Sequence, residues 1–277
     1  MSLIEALILG IVQGITEFLP ISSTAHIVIT SIVLDLEFEG LAFEIFLHLA
    51  SVLAVIMYFR KDLMTVIKGF FGYFKDKSTE NTIQFRFAIY LIVATIITGV
   101  LGIVLKDVID ESMKTPPFIA GSLTITGLFL IFIERFHQIG NKDEESMTWL
   151  DTIIVAIGQT LAVLPGISRS GATLVAALWT GLTRETAVRF SFLLSIPVIL
   201  GSTVLMFKDL SMDMVHSVGV TPLVISFIAS FLFSIIGIMW LIDFLQKSKL
   251  VYFAVYCFAL AFIVFFFLDP GLTMDME

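Results

Sequence analysis

Six stretches of this chain are apolar over close to the ~20 helical residues needed to cross a hydrocarbon core about 30 Å thick. They run near Leu41–Phe59, Phe85–Leu105, Pro117–Ile133, Arg189–Phe207, Val218–Phe244 and Leu250–Leu268. Two further stretches, Leu3–Leu34 and Ile153–Leu182, are apolar at both ends but interrupted in the middle by polar residues and prolines. Each half is too short to span alone. Irregular backbone at membrane depth is tolerated only where protein or trapped water satisfies it, so each stretch reads as a helix-in, loop, helix-out hairpin. The expected fold is all-α and integral to the membrane, with six transmembrane helices plus two re-entrant helical hairpins. Composition agrees: 58% of residues are hydrophobic and only 14% charged, too few charges to hydrate a soluble domain of this size. No Ser/Gly- or Pro-rich linker divides residues 1–277, which read as a single membrane domain.

The N-terminal stretch does not read as a signal peptide. Met1 to Thr30 contains no Lys or Arg, Glu5 sits where a positive region belongs, and Gln13, Glu17 and Pro20 interrupt the apolar run. The one cysteine, Cys257, lies in an apolar run, which rules out an internal disulfide and suits a small packed hydrophobe. Orientation follows from the basic residues. Alternating spans put Arg60, Lys61, Lys68, Lys75, Lys77, Arg86, Arg135, Lys142, Arg184, Arg189, Lys247 and Lys249 on one side, which is therefore cytoplasmic. Only Lys106, Lys114 and Lys208 fall outside, with Arg169 set aside in the second hairpin. Both termini are thus expected outside the cytoplasm, and the acidic tail Asp269–Glu277 agrees.

The two interrupted stretches resemble each other at an offset of about 146 residues, and each is followed by three spans. Leu19-Pro20-Ile21-Ser22-Ser23-Thr24 parallels Leu164-Pro165-Gly166-Ile167-Ser168-Arg169-Ser170-Gly171-Ala172-Thr173. Downstream, Phe46 to Lys61-Asp62-Leu63 parallels Phe192 to Lys208-Asp209-Leu210. The first repeat would cover 1–136, with its hairpin at 3–34, and the second 150–268, with its hairpin at 153–182. Three spans are an odd number, so the second copy enters from the opposite face. Such an inverted-topology repeat commonly holds a binding site near the midplane, where the copies meet.

The chemistry gathers in the interruptions. Gln13 and Glu17 share a helical face, and Pro20 ends that helix near Leu19. Ser22, Ser23 or Thr24 then caps a helix running back out, with His26 one turn into it. In the second hairpin Pro165 and Gly166 break the chain, and Ser168, Arg169, Ser170 and Gly171 lead into a helix expected to start near Ala172. Free N–H groups at two helix starts, several hydroxyls and a planar guanidinium suit a phosphate or diphosphate. Ionisable residues inside a membrane are functional candidates by default. Glu44 and His48, one turn apart on the first span, either face this pocket or pair with each other. Glu134, Arg135 and Asp243 lie near cytoplasmic helix ends, where snorkelling accounts for them. The aromatic stretch Phe70–Phe74 between lysines reads as an interfacial helix.

Gln13 and Glu17 followed by Phe18-Leu19-Pro20-Ile21-Ser22-Ser23-Thr24-Ala25-His26, together with Leu164 to Thr173, resemble the undecaprenyl pyrophosphate phosphatase family linked to bacitracin resistance. The resemblance extends over nearly the whole chain, including Phe190-Ser191-Phe192-Leu193-Leu194. It implies hydrolysis, in the plasma membrane, of a polyprenyl diphosphate to the monophosphate carrier lipid and inorganic phosphate. It also implies six spans with two re-entrant hairpins. Where many members carry an acid before the Phe-Ser-Phe element this chain has Arg189, so any role of that acid does not carry over.

On this reading Ser23 attacks the terminal phosphorus and a phosphoserine is later hydrolysed. Glu17 or His26 takes the serine proton, and the other orients it or protonates the leaving oxygen. Arg169 stabilises the equatorial oxygens, with Ser22, Thr24, Gly166, Ser168, Ser170, Gly171 and Thr173 completing the phosphate site. Gln13 and Glu17 are expected to hold Mg2+ or Ca2+, hard cations that prefer oxygen ligands. Phosphorylation of His26, or attack by metal-bound water, uses the same residues. The rival from another class is a flippase for polyprenyl phosphate lipids, because broken helices at a midplane are also a transporter device. The expected partners are the diphosphate lipid and membrane lipid, with no nucleic acid; the sequence sets neither oligomeric state nor isoprenoid length.

Overall fold

A computed structural model describes residues 1–36, 40–106, 113, 115–136, 140–205, 212–247 and 249–268. The later half of the downstream repeat, Lys208-Asp209-Leu210, lies outside them, as do Lys114 and the acidic tail. The described residues form twelve α-helices and no strand. These are α1 (Leu3–Phe18), α2 (Ser23–Val33), α3 (Gly40–Tyr58), α4 (Arg60–Gly72), α5 (Thr79–Lys106) and α6 (Pro116–Phe136). The second half contains α7 (Trp149–Thr160), α8 (Arg169–Trp179), α9 (Arg184–Leu205), α10 (Met212–Val218), α11 (Val220–Lys247) and α12 (Val251–Phe267).

Four of these helices, α5, α6, α9 and α11, are long and apolar enough to cross a membrane. A fifth candidate is α3 with α4, which bend by 73° at Phe59. Helix α12 is as apolar but has 17 residues. The exposed residues explain the solvent these helices need. Ile92, Ile96, Val100, Ile103 and Val104 on α5 point outward, as do Val224, Ile228 and Leu232 on α11 and Phe262, Phe265, Phe266 and Phe267 on α12. Bands of this width are far beyond what a water-soluble surface exposes and suit lipid. Helix α4 differs: it exposes Arg60, Lys61 and Lys68 beside Met64, Ile67 and Phe71, the mix of an interfacial helix.

Helix starts echo the sequence repeat. Ser2 and Glu5 form a capping box at the head of α1, and Thr148 and Asp151 form one at the head of α7. Ser22 caps α2 and Ser168 caps α8, with the same interval between the members of both pairs. Packing partners exchange in the same way. Helix α1 lies along α11 while α7 lies along α5; α3 meets α11 while α9 meets α5; α3 meets α9, and α6 meets α12.

The α1–α11 contact is close because small residues line it. A β-carbon built on Gly14 would lie 2.6 Å from the Ser230 carbonyl oxygen and 2.8 Å from Phe233 Cβ, so backbone occupies the space a side chain would need. Close approach through small residues is how membrane helices associate without a hydrophobic driving force. Gly14→Leu is expected to cost at least about 3 kcal/mol and to lower the melting temperature of detergent-purified protein sharply. Gly99→Leu, at a position with open space around it, serves as the control and is expected to melt like the wild type.

Three expectations change. Helix α8 starts at Arg169, not near Ala172, because Ser168 supplies the cap. Helix α9 starts at Arg184, ahead of the expected Arg189. Glu134 does not snorkel: its carboxylate pairs with Arg184 at 3.4 Å and accepts from the Leu250 N–H at 3.2 Å, stitching α6, α9 and α12.

Candidate active site

Pro20 makes the first break. It lacks an N–H and disfavours helix before it, so α1 stops at Phe18 and Leu19 is extended. The chain turns tightly, with the Ile21 N–H bonded to the Leu19 carbonyl at 2.8 Å, and re-enters helix at Ser23. Ser22 caps this helix from φ 69°, ψ 99°, a conformation that non-glycine residues rarely hold without support. The support is His26. Its Nδ1 lies 2.7 Å from the Ser22 carbonyl, which only accepts, so Nδ1 carries the proton. Nε2 then accepts from the Tyr256 hydroxyl of α12 at 2.7 Å. Both ring nitrogens of His26 are engaged in clamping the turn.

The second break is built differently. A 3-10 turn, Leu161–Val163, leads to extended Leu164 and to Gly166 at φ +87°. A β-carbon on Gly166 would lie 2.7 Å from Ser122 Cβ, so the position needs glycine for both conformation and space. Ser168 then accepts the Gly171 N–H at 3.1 Å, and its own N–H meets Thr126 Oγ1 at 3.3 Å. Thr173 turns back onto its helix, donating to the Arg169 carbonyl at 2.8 Å.

The breaks meet. Ser170 Oγ donates to the Leu19 carbonyl at 2.9 Å, which joins the second break to the first. At their junction Glu17, with 2% of its side chain exposed, accepts from every direction. Arg169 Nη2 lies 2.7 Å from Oε1. On Oε2 converge Ser23 Oγ at 2.7 Å, Gln13 Nε2 at 2.9 Å and His48 Nε2 at 3.1 Å. The residues predicted from sequence as acid, hydroxyl and guanidinium thus share one carboxylate. Thr24 points away from it, donating to Glu44 Oε1 at 2.6 Å. A cleft lined by Arg169, Ser170, Leu174, Val188, Ser191, Phe192 and Leu241 adjoins this cluster, and the Ser191 hydroxyl is buried there without a hydrogen-bond partner.

Sequence reasoning left Glu44 and His48 open; His48 reaches the site, 3.1 Å from Glu17, while the Glu44 carboxylate lies off it, accepting from Thr24. Their one-turn spacing on an apolar helix was the available signal. Tyr256 had none, being one aromatic in an aromatic-rich helix. Arg189 is elsewhere: it pairs with Asp62 at 2.9 Å and with Glu144, and lies over the Phe87 ring. It ties α9 to α4 and to the segment before α7.

Chemically, the cluster offers a buried hydroxyl held on a carboxylate, beside a guanidinium that can turn its fork to an anion. Among the described residues no group of three or more His, Cys, Asp or Glu is arranged to hold a metal. Gln13 Oε1, however, is a buried acceptor without a hydrogen-bond partner.

Apolar faces turned outward and ionic groups gathered inside make this a multi-pass membrane protein organised around a buried polar centre. The comparison with known sequences gives the lineage: the chain belongs to the BacA family, whose profile, described as bacitracin resistance protein BacA, matches residues 6–263. It is 66% identical to undecaprenyl-diphosphatase 2 of Halalkalibacterium halodurans over the full length of both chains. It is 58% identical to undecaprenyl-diphosphatase 1 of Shouchella clausii, over 97% of this chain and 98% of that one. Undecaprenyl-diphosphatase 2 of Bacillus thuringiensis is 40% identical over 96% of this chain and 98% of its own.

Proposed function

We propose that this protein is an undecaprenyl-diphosphatase of the plasma membrane, hydrolysing the diphosphate lipid to the monophosphate carrier and inorganic phosphate. The observation that carries the reading is the 2.7 Å hydrogen bond from Ser23 to Glu17, with Arg169 on the other carboxylate oxygen. Ser23 Oγ attacks the terminal phosphorus, and Glu17 takes the serine proton as the new O–P bond forms. The bond to the bridging oxygen breaks, and the lipid monophosphate leaves with its electrons and takes the proton from Glu17, which returns to a carboxylate. Arg169, Ser168, Ser170 and the N–H groups near Gly171 offset charge on the equatorial oxygens. Water, giving a proton to Glu17, then attacks the phosphoserine; inorganic phosphate leaves and Ser23 regains its proton. His26, with both nitrogens engaged by the turn and Tyr256, holds the nucleophile's loop in place of acting as the base.

A divalent cation belongs to the same proposal. Gln13 Oε1 and a Glu17 oxygen would hold Mg2+ or Ca2+, the remaining ligands being water and substrate oxygens, as is usual for Mg2+ at phosphates. Such an ion would supply neutralisation of diphosphate charge.

The proposed topology is six spans, formed by α3, α5, α6, α9, α11 and α12, with re-entrant hairpins α1–α2 and α7–α8. The matched caps and exchanged packing partners support the inverted repeat, 1–136 against 150–268. The distribution of lysine and arginine supports termini outside the cytoplasm and a site that opens outward. Purified protein in detergent, where no leaflets exist, is expected to release phosphate from undecaprenyl diphosphate. Tight lipid binding with no release would favour the flippase reading.

A further inference from the structure

Ser191, on α9, is 6% exposed, and among the described residues its hydroxyl has no hydrogen-bond partner. The other hydroxyls of α9 behave differently. Ser195 donates back to the Phe192 carbonyl at 2.7 Å, and Ser202 and Thr203 each donate to the Ile199 carbonyl at 2.8 Å. Thr186 accepts from Thr183 at 2.9 Å. Bonding back to the helix is the ordinary way for a helical serine to satisfy itself in an apolar interior. Ser191 instead lines the cleft with Arg169 and Ser170. A buried hydroxyl left unpaired is costly, and native folds keep few of them. We propose that Ser191 is a further substrate-binding residue, whose hydroxyl donates to one oxygen of the phosphate that Arg169 takes up. This inference deepens the phosphatase reading above and rests on it for the identity of the ligand.

The surroundings fit an anionic oxygen. Arg169 gives Nη2 to Glu17, and its planar fork has further N–H groups for a second anion. Ser170 must break its bond to the Leu19 carbonyl before it can donate, whereas Ser191 has no bond to break. Leu174, Phe192 and Leu241 supply apolar walls, which exclude water and strengthen a hydrogen bond made between them. The cleft offers about 10 Å³, room for one oxygen-sized group and too little for a whole phosphate. A phosphate seated at the junction would thus insert a single oxygen toward Ser191 and stay within reach of the guanidinium.

The test titrates detergent-purified protein with inorganic pyrophosphate while following its melting temperature, which a ligand of the folded state raises. Ser191→Ala is expected to need about 10-fold more pyrophosphate than wild type for the same rise. Without ligand it is expected to melt no lower than wild type, because alanine removes a buried hydroxyl that has no partner. A merely structural serine would give the reverse, a lower melting temperature with unchanged pyrophosphate dependence, and that result would overturn the inference. Ser195→Ala, which loses a back-bond on the same helix, is expected to keep the wild-type pyrophosphate dependence. The kcat/KM for undecaprenyl diphosphate is expected to fall about 10-fold in Ser191→Ala. Equal pyrophosphate dependence in Ser191→Ala and wild type, the result a trapped water beside Ser191 would give, would also overturn it. So would a wild type that pyrophosphate does not stabilise. The expected pyrophosphate behaviour with no phosphate released from the lipid by wild type would reject hydrolysis and leave the Ser191 contact standing.

Discussion

Glu17→Gln is expected to lower turnover by about 10³-fold or more while leaving the protein folded. Gln keeps the shape of the side chain and one acceptor oxygen, which can still meet Arg169. It cannot take the Ser23 proton, and its amide nitrogen would face two donors at the Oε2 position, Ser23 and Gln13. Glu17→Ala is expected to be no more active and less stable, because it strands the buried Arg169 guanidinium that the carboxylate now compensates. Phosphate release measured beside thermal melting separates the effects. A Glu17→Gln protein within tenfold of wild type would remove Glu17 from the chemistry.

The second large effect is expected at Arg169, where lysine should substitute poorly. Arg169 starts α8 directly behind its cap, and its Nη2 reaches across the junction to Glu17. A planar fork can keep one N–H on a carboxylate while presenting others to phosphate oxygens; an ammonium is a single point of charge. Arg169→Ala and Arg169→Lys are both expected to lose at least about 100-fold in turnover. Lysine restoring activity to within a few-fold of wild type would mean that charge alone matters there.

These expectations draw on sites that the sequence revealed unequally. Pro20 and Pro165-Gly166 were legible as breaks because proline and glycine act through local backbone geometry, which no tertiary contact is needed to express. Glu17 and Arg169 were legible because charge inside an apolar stretch has few explanations, and Gln13 and Ser23 because they are polar residues close by in the same interruption as Glu17. Where a broken helix restarts was harder. Ser168 rather than Ser170 caps α8, a choice decided by which hydroxyl meets the Gly171 N–H. Long-range partners were beyond reach. His26 lay near Ser23 in sequence and was, with Glu17, one of two candidates for its base, but its partners, the Ser22 carbonyl and Tyr256, could not be read there. His48 was on another helix, and its approach to Glu17 depends on how α3 packs against α1. Glu134 looked like a helix-end charge because pairing with Arg184 needs the α6–α9 geometry.

The chemistry assigned to this junction is tested most directly by catching the transferred phosphate. Protein mixed with undecaprenyl diphosphate carrying ³²P in its terminal phosphate, then quenched in acid within a turnover, is expected to hold label on a peptide containing phosphorylated Ser23. Ser23→Ala protein is expected to hold none and to release no phosphate. Label on that variant at another residue, or its full activity without any labelled intermediate, would contradict the account.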